Sequence, residues 1–311
     1  MKVLLHYAAS PAVRARVARI PGLRVVVVEE RDRDGFLREI PDTDVLWHSL
    51  ERVTPQVIDA APKLKLVQKI GVGVDTIALD ACKARGIAVC NMPGTNTQAV
   101  AEMTLALMFA VLRRIVMLDT TTHSDRGWSL PPASLDGIGE IGGRTIGLIG
   151  YGGVPRRLVP VLRALGAHVI VWSRTPPDDG TEAVTLDDLL ARSDIVSLHV
   201  PATPQTTGLL DAARIAAMKR GAILINTARG ALVDETALVA ALGSGQLAAA
   251  GLDVFANEPA SADRPILSLP NVVATPHVAW VSDETFERSF AVATENCRRL
   301  SAREPLLHRI V

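Results

Sequence analysis

Three side chains in the second half of the chain are of the types needed to move a proton and steer a carbonyl: Arg229 in INTARGALVDE, Glu258 in GLDVFANEP and His277 in VVATPHVAW. Each segment begins with or follows an apolar run that reads as a strand. In an open α/β sheet ligands bind outside the carboxyl ends of the strands, so all three would face one crevice. An arginine can hold a carboxylate and polarise a ketone, while an imidazolium gives a proton to the oxygen as hydride arrives on carbon. A neighbouring carboxylate favours the imidazolium, which is the role open to Glu258. Each residue also has an ordinary reading: a surface ion pair for Arg229, a turn before Pro259 for Glu258, and a structural histidine after Pro276 for His277.

The partner for such chemistry is written in residues 145–174, TIGLIGYGGVPRRLVPVLRALGAHVIVWSR, a strand, a glycine turn, an amphipathic helix and a second strand. Gly150 permits the tight turn, Gly152 lets the backbone approach a pyrophosphate, and the amides of Gly153 and Val154 lie at the positive end of the helix. Pro155 stands where a third glycine is usual. Proline suits the first helical turn, so a slightly displaced helix is expected with the site retained. At the end of the second strand, where a carboxylate would accept the ribose 2′-hydroxyl, the chain has Ser173 and Arg174. Arg174 can pair with a 2′-phosphate and Ser173 can donate to it, so NADP is expected ahead of NAD, with NAD possible. The alternative is an Arg174 that stacks on adenine or faces solvent.

The positioning elements follow from the pattern of apolar runs. Short runs at 3–7, 23–28, 44–47, 66–70 and 87–90 alternate with helical stretches, as do later runs at 195–199, 222–226, 248–253 and 272–274, which predicts parallel α/β sheets. TNTQAVAEMTLALMFAVLRRIV reads as one long helix leaving the first domain, followed by a polar connection over 119–143. The segment 283–301 reads as a closing helix that must pack on something already built, expected to be the first domain. With 311 residues the chain can build two cores, and 48% hydrophobic against 4% aromatic residues makes those cores aliphatic. Thirty-three basic and 33 acidic side chains give no overall drive toward nucleic acid or an anionic membrane. Three cysteines without metal-like spacing imply free thiols and no metal site, and the polar turn after MKVLL gives neither a signal peptide nor a membrane span. The expectation is a cytoplasmic protein.

In LKLVQKIGVGVDTI, NTQAVAEMTLALM, the glycine turn, SLHVPATPQTTGLL, INTARGALVDE, GLDVFANEP and TPHVAW, in that order, the chain resembles the D-isomer-specific 2-hydroxyacid dehydrogenases, the family of glyoxylate and hydroxypyruvate reductases, D-lactate dehydrogenases and phosphoglycerate dehydrogenases. The resemblance implies an α/β fold of two domains: a Rossmann-type dinucleotide-binding domain, 96–280, and a discontinuous flavodoxin-like substrate domain, 1–95 and 281–311. It implies Arg229 as substrate-binding catalytic arginine, His277 as acid/base bordering both substrate and cofactor, and Glu258 as its partner. Asp253 would orient the nicotinamide carboxamide, and Val200, Pro201, Thr206, Thr227 and Ala228 would line the cofactor path. Gly71, Val72 and Gly73 look like the family's carboxylate cradle, built from backbone N–H groups. Thr97 looks like a contact on the nicotinamide side, or a helix cap.

The implied activity is hydride transfer between NADP(H), or NAD(H), and a small-molecule 2-oxo or 2-hydroxy acid. Trp47, the loop to Leu50, Lys69 or Ile70, and Trp280 would close the substrate pocket. If both tryptophans face inward they favour glyoxylate or hydroxypyruvate; otherwise they are core. Pro276 before His277 speaks against the formate-oxidising branch, which carries glutamine there as the resemblance implies. The apolar stretch 104–116 serves either a homodimer, as in the family, or burial between domains. The competing reading is a nicotinamide-nucleotide-sensing corepressor of the same fold, which retains Arg229, Glu258 and His277.

Overall fold

Apolar runs near the N-terminus pair into a five-stranded parallel sheet of β1 (Lys2–His6), β2 (Arg24–Val28), β3 (Val45–His48), β4 (Leu66–Lys69) and β5 (Ala88–Cys90), ordered β2-β1-β3-β4-β5. This is the order of flavodoxin-like doubly wound sheets. In the computed structural model, which describes residues 1–311 except Asp125, every residue of β3 and β4 is buried. Both faces are covered, so these strands show no alternation of buried and exposed residues, and their polar members His48, Gln68 and Lys69 are buried with the rest.

The C-terminal helix Asp283–Ala302 belongs to the same unit, which comprises Met1–Asn96 and Val281–Val311. The Ser282 hydroxyl caps it by accepting the Thr285 N–H at 3.1 Å, a cap worth about 1 kcal/mol. Two contacts fix it to the sheet. Phe290 stacks on Trp47 with ring centroids 5.7 Å apart, and Asn296 Nδ2 donates to Gln68 Oε1 at 2.7 Å. Trp47 is fully buried in this core and does not face a substrate. Of the two readings open for Trp47, pocket wall or core, the structure gives core: a strand interior under a helix leaves the indole no other place.

The second unit, Thr97–Trp280, holds seven parallel strands: β6 (Thr145–Ile149), β7 (His168–Trp172), β8 (Glu182–Ala183), β9 (Ile195–Leu198), β10 (Ala222–Asn226), β11 (Leu247–Leu252) and β12 (Val272–Ala274). Their order, β12-β11-β10-β9-β6-β7-β8, is the dinucleotide-binding 3-2-1-4-5-6 order with one strand added. The switch point falls between β6 and β9, where the direction of winding reverses. β8 has two exposed residues, too few to register as an apolar run.

The long helix expected over 95–116 is two. One runs Thr97–Leu112 and the next Ile115–His123, with Arg114 between them in the left-handed region at φ 49°. Arg114 Nη1 donates to the Ser134 carbonyl at 2.6 Å and the Gly139 N–H to the Leu112 carbonyl at 3.0 Å. Tertiary hydrogen bonds thus break a segment that has no breaker in its sequence. The expected polar connection over 119–143 accordingly begins as helix and continues through 3₁₀ turns at Gly127–Ser129 and Pro132–Leu135; Asp125 within it lies outside the described residues. Among the described residues no helix is long and apolar enough to cross a membrane, and no group of three His, Cys, Asp or Glu could hold a metal ion.

Candidate active site

His277 lies just beyond β12, and the chain there is bent by the residue itself. Its φ of 56° is left-handed, a conformation costly for a residue with a Cβ and sustained only where surroundings enforce it. Asp253, at the end of β11, is the enforcer. It is completely buried, and its Oδ1 accepts from Thr275 Oγ1 at 2.6 Å and Val278 N at 2.9 Å, while Oδ2 accepts from Ala279 N at 2.9 Å. The His277 N–H donates to the Asp253 carbonyl at 2.8 Å. Burial pushes the Asp253 carboxyl up, against the pull of these hydrogen bonds. Asp253 therefore shapes the turn that carries the histidine, a role the sequence did not suggest. Trp280 closes the turn by donating its indole N–H to the His277 carbonyl at 3.1 Å.

The imidazole is held by Glu258. His277 Nδ1 lies 2.5 Å from Glu258 Oε2, while Glu258 Oε1 accepts the Phe255 N–H at 2.9 Å. Burial alone would raise the Glu258 carboxyl. The hydrogen bond and charge of His277, the Phe255 N–H and the charge of Arg229 outweigh it and hold the carboxyl below its usual range. With Nδ1 committed to a carboxylate, Nε2 is the ring nitrogen left for a reacting oxygen.

Arg229 follows β10 on a loop keyed into the Glu258 loop. Asn226 pins both sides of it, donating from Nδ2 to the Arg229 carbonyl at 2.9 Å and accepting the Ala228 N–H at 3.0 Å. A Cβ on the next residue, Gly230, would lie 1.9 Å from the Phe255 carbonyl carbon and 2.5 Å from the Ala256 nitrogen. Only glycine allows the two loops to touch, and through that contact Arg229 comes near Glu258. Sequence reading missed Gly230, although its place beside the arginine was the available signal. Thr227 is tied back to the helix Thr97–Leu112 through Thr104, with the two hydroxyls 3.0 Å apart.

The glycine turn joins β6 to the helix Gly153–Ala164. Gly150 has φ 105°, and a Cβ there would meet the His199 carbonyl oxygen at 2.6 Å, so β6 and β9 can diverge at the switch point only around a glycine. The helix Gly153–Ala164 then starts at Gly152 without a side-chain cap, whereas Ser10, Asp32, Thr54, Thr185, Asp211, Asp234 and Ser282 cap other helices. Its Gly153 and Val154 amides are thus left for an anion, and a Cβ built at Gly152 meets nothing within 4 Å. These features fit a dinucleotide pyrophosphate. Pro155 is buried within this helix. Around the turn, a Cβ at Gly153 would lie 3.2 Å from the Thr97 methyl, and a Cβ at Gly150 would lie 3.0 Å from the Val200 side chain. Thr206 Oγ1 donates to the Pro201 carbonyl at 2.6 Å, and Ser173 Oγ to the Thr175 carbonyl at 2.5 Å. Burial lowers His199, beside the turn, to about 3, so it stays neutral.

In the first unit, Gly71 has φ 139°, and Asn91 Nδ2 holds the Val72 carbonyl at 2.9 Å. The Val72 side chain is exposed and Gly73 partly so. Behind this loop Lys69 is buried and donates to the Ser49 carbonyl. Burial, with the charges of Lys69 and His6, drives His48 well below its usual value.

Fold and site together define an α/β protein that grips a dinucleotide and sets an imidazole–carboxylate pair beside an arginine. The chain belongs to the D-isomer specific 2-hydroxyacid dehydrogenase family, whose NAD binding domain matches residues 105–279. It is 40% identical over 283 residues to a D-3-phosphoglycerate dehydrogenase of Mycobacterium bovis, covering 89% of this chain and 53% of that protein. It is also 40% identical over 286 residues to a glyoxylate reductase of Thermofilum pendens, covering 88% and 84% respectively. The crystal structure of the TT0316 protein of Thermus thermophilus superposes with a TM-score of 0.91 at 37% identity, with both chains fully covered. The chain spans about half the length of the phosphoglycerate dehydrogenases it matches.

Proposed function

We propose that the chain is an NADP-preferring dehydrogenase acting mainly as a reductase of a small 2-oxo acid, glyoxylate or hydroxypyruvate. The observation that carries the hydride chemistry is the 2.5 Å contact of His277 Nδ1 with Glu258 Oε2 next to the Arg229 loop, while the choice of a small 2-oxo acid rests on the glyoxylate reductase the chain resembles. When bound, a reduced nicotinamide supplies the hydride. Arg229 holds the carboxylate and draws electron density from the ketone oxygen. His277 delivers its proton from Nε2 to that oxygen while Glu258 steadies the imidazolium. Val72 and Gly73 are the proposed carboxylate contacts of the first unit, with Trp280 a further substrate neighbour. Asp253 is the proposed partner of the nicotinamide carboxamide as well as the anchor of the His277 turn. Thr97, Val200, Pro201, Thr206, Thr227 and Ala228 are the proposed lining of the cofactor path, together with Gly150, Gly152, Gly153 and Val154. A homodimer through the apolar face of the second unit, where Phe109, Ile115, Val116 and Trp128 are exposed, is part of the same proposal.

The discriminating experiment follows cofactor oxidation with glyoxylate, hydroxypyruvate, pyruvate and phenylpyruvate. Turnover fastest with the first two is expected; turnover with none of them would turn the reading toward a nucleotide-binding regulator. NADP preference rests on Arg174, which is exposed and has no partner among the described residues. Arg174→Ala is expected to weaken NADPH more than NADH, and equal weakening of both would overturn the assignment. A companion variant tests the glycine turn. Because a Cβ at Gly152 meets only open space in the protein, Gly152→Ala is expected to keep its melting temperature. It should weaken both cofactors on the order of tenfold, since the methyl occupies the approach of the pyrophosphate. Unchanged affinity in titration calorimetry would mean that the phosphates bind elsewhere.

A further inference from the structure

The segment from Ser173 to Thr181, between β7 and β8, carries two adjacent carboxylates, Asp178 and Asp179. It leaves the end of β7, where the adenosine ribose of a bound dinucleotide lies in a sheet of this order. Left to themselves these carboxylates would repel a 2′-phosphate. Both are instead tied to the glycine turn. Arg156, in the first turn of the helix Gly153–Ala164, places Nη1 2.5 Å from Asp178 Oδ1. Its guanidinium lies over the Tyr151 ring, 4.7 Å from the centroid. Tyr151 donates its hydroxyl to Asp179, and Asp179 Oδ1 also accepts from Thr181 Oγ1 at 2.6 Å and Thr181 N at 3.1 Å. Asp179 is thus saturated by its own loop and the turn. Asp178 has one strong partner, Arg156, and that pair is exposed, with side-chain exposures of 45% for the arginine and 72% for the aspartate.

We propose that Arg156 is a second ligand for the cofactor's 2′-phosphate, held ready by Asp178, so that binding NADP(H) exchanges the Asp178 carboxylate for the phosphate on one guanidinium. The inference rests on the NADP reading above and deepens it. An exposed ion pair is screened by water and adds little to stability, so releasing Asp178 costs little. A phosphate carries a charge of about −1.5 to −2 and three acceptor oxygens, which makes it the stronger partner for a planar fork already oriented by the tyrosine face. NAD(H) offers no such group and leaves the pair intact. The pair therefore contributes to discrimination between the two cofactors, and its two members contribute with opposite sign.

The test is titration calorimetry on the full chain with adenosine 2′,5′-bisphosphate and 5′-AMP as probes, repeated with NADP⁺ and NAD⁺. Arg156→Ala should weaken the bisphosphate relative to 5′-AMP by about three- to tenfold. Asp178→Asn should strengthen it relative to 5′-AMP, because the competing charge is gone while the shape is kept. Equal weakening of both probes by Arg156→Ala would overturn the inference, as would an Asp178→Asn variant that leaves the ratio unchanged or loses 5′-AMP affinity, the mark of a ribose-hydroxyl acceptor. If Arg174→Ala changes the ratio and Arg156→Ala does not, the exchange falls while the NADP reading stands. If the unmodified chain does not distinguish the probes, the NADP reading itself falls.

Discussion

Replacing His277 by alanine is expected to lower kcat by a factor on the order of 10² to 10⁴, the usual worth of a positioned general acid, equivalent to about 3–5 kcal/mol of barrier. The expectation rests on Nδ1 being fixed to Glu258 at 2.5 Å, which leaves Nε2 as the proton-bearing atom toward an oxo group. The two states differ at that oxygen, which is neutral in the ketone and gathers charge as hydride adds. The loss should therefore fall on kcat, with a far smaller change in cofactor affinity. The left-handed backbone at His277 adds a control. Alanine there retains the strain of φ 56° and the two backbone hydrogen bonds of its N–H, so the melting temperature should move little. Glu258→Gln should give a smaller loss of kcat, because the amide still orients the ring but removes the carboxylate that Nδ1 contacts. A His277→Ala protein whose cofactor binding and melting temperature fall in step with kcat would mark the histidine as structural.

Gly230→Ala is the second large effect, and it arises entirely from packing. The added methyl would sit 1.9 Å from the Phe255 carbonyl carbon and 2.0 Å from its oxygen, where ordinary contact starts at 3.4 Å. The obstructing atoms are backbone and cannot rotate aside. The Arg229 and Glu258 loops must then separate by an ångström or more. Overpacking of this kind costs about 1–3 kcal/mol, and a lowering of the melting temperature by roughly 2–12 °C is expected. Displacement of a positioning group by about 1 Å costs on the order of 10²-fold in rate, so kcat/KM for the 2-oxo acid should fall by about that much. A variant with unchanged melting temperature and kcat/KM within about twofold would show that these loops move independently. The methyl touches neither the glycine turn nor the helix that follows it, so cofactor affinity should fall less than kcat/KM, through Thr227 and Ala228 of the displaced loop alone.

Much of this arrangement was legible in the residues alone. The apolar runs that became β1 to β7 and β9 to β12 were readable because a strand covered on both faces is mostly apolar without alternation, as VLWH, IVSL and AILIN are, each with a single polar residue. The glycine turn was readable because Gly150 meets a local backbone requirement, a positive φ, that few other residues satisfy. Arg229, Glu258 and His277 stood out because each ends an apolar run with a chemically active side chain.

What the residues could not reveal depends on partners distant in sequence. Trp47 has the size and polar edge of a pocket wall, and its place under Phe290 is decided by a helix that begins more than two hundred residues later. The break at Arg114 exists because the Ser134 carbonyl, accepting from Arg114, and the Gly139 N–H, donating to Leu112, compete with helix continuation. Asp253 reads from its motif as a nucleotide contact, and only the fold shows its second task, by burying it and turning its oxygens onto Thr275, Val278 and Ala279. Gly230 reads as one glycine among 23 until the Phe255 backbone is laid against it. Local propensity and burial pattern are properties of neighbouring residues and can be read along the chain. Which loops touch, which polar atoms pair and which carboxylate is neutralised by which guanidinium are set by three-dimensional proximity, and only the folded chain decides them.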